Sequence, residues 1–70
     1  MDSRADRIDR ETAEVRTLAA VVYGTPEAVD SWMAAPNVRL DGMTPEDAIR
    51  AGHTRTLVDL LTALANGTAY

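Results

Sequence analysis

Seventy residues make at most one domain, and so short a chain buries only a modest share of its surface. It has no Cys and a single His, which excludes disulfides, thiolate metal sites and imidazole-rich zinc centres. The formal net charge is −4, from 7 Arg (there is no Lys) against 11 acids, so no basic arm exists to grip a phosphate backbone.

No apolar run approaches the ~20 residues that a membrane span requires. The opening Met1-Asp2-Ser3-Arg4-Ala5-Asp6 lacks the apolar core of a secretion signal. A soluble, cytoplasmic protein is the expectation, with no membrane partner and no nucleic-acid binding by this chain itself. The surplus of acid favours solubility and an encounter with a basic partner.

Residues 3–22 predict a helix. Ile8, Thr12, Val15, Ala19 and Val22 fall on one stripe. The first half is nearly all charge, with i,i+4 pairs at Asp6/Arg10, Arg7/Glu11 and Arg10/Glu14, each worth a few tenths of a kcal/mol. Only Ala5 and Ile8 are apolar there, so this half is expected to project beyond the core. Two readings stand: a solvated or frayed helix, or one that meets a second chain through the heptad line Ile8, Val15, Val22.

Tyr23-Gly24 ends that helix, with Gly as a left-handed cap. Thr25-Pro26-Glu27 starts the next: a capping hydroxyl, a proline in the first turn and an acid at the positive end of the dipole. The second helix runs from Pro26 to about Ala34, with Val29, Trp32 and Met33 inward. Asn37 to Thr44 then form a compact connection, for which Val38-Arg39-Leu40 is too short to found a strand. Thr44-Pro45-Glu46-Asp47 repeats the start signal. The third helix is short and ends at Gly52, with Ala48 and Ile49 inward and Glu46 spaced to pair with Arg50.

The fourth helix spans about Thr54 to Ala65 on the stripe Leu57, Leu60, Leu61, Leu64. Asn66-Gly67 closes it, followed by Thr68-Ala69-Tyr70. The fold class is therefore all-α: a small four-helix domain with short turns, the first helix long and charged. Residues 1–17 read as a charged helical extension and residues 18–70 as the domain proper.

Catalytic chemistry is thin. His53 is the only imidazole, with Asp47 and Asp59 each six residues away and no serine after Ser31. A general base needs an orienting acid and a nucleophile nearby, so a role at the helix junction explains His53 better. Glu46 and Asp47 open a helix, where acids are stabilised without any function. Gly24 and Gly42 are isolated and cradle no phosphate. Neither an enzyme, a cofactor nor a metal is expected. Trp32 reads either as a core anchor against Leu40, Ile49 and the fourth helix, or as an exposed hot spot. Tyr70 reads either as a loose terminus or as a probe for a partner's pocket.

The order of these signals resembles a known family. Ala20-Val21-Val22-Tyr23-Gly24, Ala28 to Trp32-Met33, Pro36-Asn37, Leu40-Asp41-Gly42, Met43-Thr44-Pro45, Gly52, Val58, Leu61 and Gly67-Thr68-Ala69-Tyr70 look like the toxin-binding domain of Xre/MbcA/ParS-type antitoxins. The likeness spans residues 18–70, and its most specific part is W-x-x-x-P-N-x-x-L-x-G-x-T-P. Trp32, Pro36, Asn37, Leu40, Gly42, Thr44, Pro45 and Gly52 carry that structural motif.

The resemblance implies an antitoxin of a type II toxin–antitoxin pair. Its partner would be a RES-domain toxin, an enzyme that consumes NAD, and it would act by blocking the NAD pocket. Carried over, the blocking segment is Asn66, Gly67, Thr68, Ala69 and Tyr70. Arg50 and Arg55 are added from the residues themselves as candidate polar contacts. Two positions depart from the family's pattern: Met33 replaces the more usual Leu, and Glu46-Asp47 is unusually acidic. Many members also carry a DNA-binding helix-turn-helix, which the single charged helix before the matching segment does not supply. The alternative is a non-catalytic self-association module without a toxin, a homo-oligomer built on Ile8, Val15 and Val22.

Overall fold

The computed structural model describes residues 3–67. In chain order they form α1 (Ser3–Tyr23), α2 (Pro26–Ala34), a 3-10 turn (Val38–Leu40), α3 (Pro45–Arg50) and α4 (Thr54–Ala65). No strand occurs among the described residues, and the all-α expectation holds.

The start and stop signals act where the sequence puts them. Gly24 takes φ +85°, and its N–H donates to the Ala20 carbonyl at 2.9 Å, which closes α1. Thr25 Oγ1 accepts from the Ala28 N–H at 3.1 Å, with Pro26 following at the first helical position. Thr44 Oγ1 does the same for the Asp47 N–H at 3.1 Å, with Pro45 following. Each such cap stabilises its helix by about 1 kcal/mol.

The core is a single aliphatic cluster. Val15 and Ala19 come from α1, Val29 and Met33 from α2, Leu40 from the 3-10 turn, Ala48 and Ile49 from α3, and Leu57 and Leu61 from α4. Within each of α1, α2 and α4 the two residues are four apart, the spacing that puts both on one helix face. Burying a side chain of Leu or Met size contributes roughly 1.5–3 kcal/mol before entropy is subtracted.

α1 is the spine, packed on all three other α-helices and most extensively on α4. It runs in the same direction as α4. Glu11 meets Thr54, Glu14 and Val58 line one groove, and Val15 and Ala19 are buried in one cluster with Leu57 and Leu61. At 1.5 Å per residue, the ends of both helices come level roughly 16 Å beyond the Glu11–Thr54 contact.

Several expectations about individual residues need correction. The charged half of α1 does not simply project, because Ile8 packs against the core, and Arg7, Glu11 and Thr12 are half-buried. The line Ile8, Val15, Val22 is consumed inside the domain: Val15 is 0% exposed, and Ile8 and Val22 pack against the same cluster. A second chain cannot reach Val15 in this fold. α1 runs unbroken through residues 17 and 18, with Val15 in the core before them.

Trp32 packs at the margin of the core, and its neighbour Met33, 2% exposed, takes the interior place. Finally, Arg50 pairs with Asp47 at 3.2 Å, three residues back, instead of with Glu46. At (i, i+3) Asp47 is as close a helical neighbour as Glu46 at (i, i+4).

Candidate functional site

The Trp32-to-Pro45 motif folds into one closed joint, and Asn37 organises it. The Asn37 carbonyl accepts from the Leu40 N–H at 2.9 Å and the Gly42 N–H at 3.0 Å. Its side-chain Oδ1 accepts from the Arg39 N–H at 2.9 Å, and its own N–H donates to the Met43 carbonyl at 3.0 Å. Those four bonds explain the spacing. Leu40 falls where it can enter the core at 7% exposure. Asp41 and Gly42 must both turn left-handed, at φ 55° and 86°, to send the chain back toward α3. Gly does this without strain, and Asp is among the few other residues that tolerate it. Thr44 and Pro45 then restart the helix. Pro36 and Gly52 delimit the unit, Gly52 at φ 87°. The joint is thus a structural device that seats α3 on α1 and α2.

The candidate contact residues lie in different places. Arg50 ends α3, and Arg55 opens α4. Both guanidiniums are already engaged, Arg50 with Asp47 and Arg55 with Asp59, each at 3.2 Å. Asn66 and Gly67 follow the other end of α4, exposed, with Gly67 at φ 73°. Eleven residues of helix, roughly 16 Å, separate Arg55 from Asn66. The structure therefore holds Arg55 and Asn66 at opposite ends of α4. Thr68, Ala69 and Tyr70 lie outside the described residues.

Near the ends of α1 and α4 the surface changes character. Tyr23 and Trp32 meet there with ring centroids 5.8 Å apart and planes tilted by 35°. Such a tilted pair is a favourable aromatic geometry. Val21 on the last turn of α1 is 70% exposed. The sequence reading missed this pair. A signal existed in Tyr23 at the end of α1 and Trp32 in the last turn of α2, but their meeting depends on how the two helices cross.

His53 precedes α4 at its N-cap position, with no side-chain cap bond, and it is exposed. Among the described residues no group of three or more His, Cys, Asp or Glu side chains is placed to hold a metal ion. No helix is long and apolar enough to cross a membrane.

Comparison with known proteins gives one match. Residues 17–67 fit the antitoxin Xre/MbcA/ParS C-terminal toxin-binding domain family. No curated protein and no solved structure matches the chain significantly. The matched stretch covers the Asn37 joint, the second to fourth helices and the aromatic pair, and the chain belongs to this family.

Proposed function

We propose that this domain is the antitoxin of a toxin–antitoxin pair and neutralises a RES-domain toxin by physically covering its NAD pocket. The observation that carries this reading is the match of residues 17–67 to a toxin-binding domain. The likeness of the Trp32–Pro45 motif to antitoxins paired with RES toxins narrows the partner. Inhibition by occlusion suits a chain whose one imidazole stands exposed at a helix start. It requires no reacting group, only a rigid body that a partner can close upon.

In this reading Asn66 to Tyr70 form the blocking segment. Arg50 and Arg55 contribute less, because each is paired within its own helix and Arg55 lies at the far end of α4. A cytoplasmic setting follows from a target that consumes intracellular NAD. Self-association, if it occurs, must use a surface other than the Ile8–Val15–Val22 line.

The test is co-expression with a RES-domain toxin. The two should co-purify as a stoichiometric complex, and cells making the toxin should regain growth and NAD. Absence of a complex together with unrelieved NAD loss would overturn the reading.

A further inference from the structure

The charges of this chain are segregated in a way that composition alone conceals. All seven Arg sit at positions 4, 7, 10, 16, 39, 50 and 55. None occurs from residue 17 to residue 38, and none after Arg55. Those two arginine-free stretches supply the last turns of α1, all of α2 and nearly all of α4. Because α1 and α4 run the same way, the last turns of α1, the start of α2 and the end of α4 share one end of the domain.

Three acids lie in the described part of these stretches: Glu27, Asp30 and Asp59. Asp30 is bound by Arg16 at 2.6 Å and Asp59 by Arg55 at 3.2 Å. Glu27 makes no ion pair among the described residues.

The same end carries the two aromatic side chains among the described residues. The buried core is wholly aliphatic. Tyr23, 37% exposed, and the half-buried Trp32 are instead stacked on each other at the surface, with Val21 more exposed still. A stable small domain gains most by placing its largest rings inside. Leaving a Tyr–Trp pair half in water forfeits part of that gain, and Trp and Tyr are the residues that dominate protein–protein hot spots.

We infer that this arginine-free end, anchored on Tyr23 and Trp32, is the surface that docks the toxin, and that the toxin meets it with an apolar patch bearing a cation opposite Glu27. The inference rests on the toxin-binding reading above and adds to it the docking face. Charge complementarity selects a different protein over a second copy of this chain. Two copies meeting through this end would bring two Glu27 side chains together, with the nearby Arg16 already held by Asp30, and like charges across an interface are unfavourable. α4, parallel to α1, ends at about the same level at Asn66-Gly67.

The chain has one Trp, so replacing it with 5-fluorotryptophan gives a single 19F resonance. The labelled domain is titrated with an unlabelled RES-domain toxin, and affinity is measured in parallel by calorimetry. The resonance should shift or broaden as the complex forms. Tyr23→Arg should weaken binding at least about tenfold with its helical circular dichroism unchanged. Arg10→Gln, exposed on the charged half of α1, should bind within about twofold of the parent. Calorimetric binding with an unmoved resonance and an unweakened Tyr23→Arg would remove the docking face and leave the proposed function intact. A resonance that instead moves with the domain's own concentration would assign the face to a second copy and overturn the inference. No binding at all would remove both readings.

Discussion

Thr54 Oγ1 donates a hydrogen bond to Glu11 Oε1 at 2.6 Å, across 43 residues of sequence. The same carboxylate oxygen accepts from Arg7 Nη1 at 2.7 Å. One half-buried acid thus ties the charged half of α1 to the first residue of α4. It fixes the register in which the two longest helices lie side by side, and with it the level at which both end.

Removing either side of this tie should loosen the pairing of α1 and α4. Glu11→Ala and Thr54→Val should each cost about 1–2 kcal/mol, the range for a hydrogen bond to a charged group that is partly open to water. In a domain of this size that lowers the midpoint of thermal unfolding by roughly 4–8 °C per kcal/mol. The double variant should be less destabilised than the two single costs added together. Full additivity in a thermal-melt cycle would show that the bond contributes nothing.

Met33 is the deepest large side chain of α2, and its truncation should be severe. Met33→Ala should cost about 2–5 kcal/mol, because the emptied space lies at the meeting point of several helices. Met33→Leu, a swap of similar volume, should cost less than about 1.5 kcal/mol. Urea unfolding followed by circular dichroism separates the two.

Gly42 has open space where a Cβ would stand, so its requirement lies in the backbone alone. At φ +86°, Gly42→Ala should destabilise by about 1–2 kcal/mol, and Gly42→Asn by less, since Asn tolerates the left-handed region. A larger loss for Asn than for Ala in the same melt would refute the backbone account.

Local features were legible in the sequence because their causes are local. The Thr-Pro starts, the glycine stops and the four-residue spacing of Val15/Ala19 and Leu57/Leu61 act within a turn or two, and the structure repeats them. What the sequence hid depends on how helices cross. Whether Trp32 or Met33 faced the interior could not be read from their adjacency on one stripe. The bonds Glu11–Thr54 and Arg16–Asp30 join residues 43 and 14 apart, beyond any helical spacing. The Ile8–Val15–Val22 line has the period of a helix seam, but period alone does not say whether the facing helix belongs to the same chain. The Asn37 joint was legible as a unit through its resemblance, and its hydrogen bonds explain why those residue types recur at that spacing.

Deleting residues 68–70 should separate docking from blocking. Affinity for the RES-domain protein should fall by no more than about threefold, while protection of NAD is lost. Equal loss of both in calorimetry and a growth assay would place the main contact in the tail itself.

Occlusion is tested most directly by NAD consumption by the purified RES-domain toxin titrated with this domain at several NAD concentrations. Activity should fall to zero at one domain per active site, with inhibition that weakens as NAD is raised. Undiminished NAD consumption in a fully formed complex would contradict occlusion.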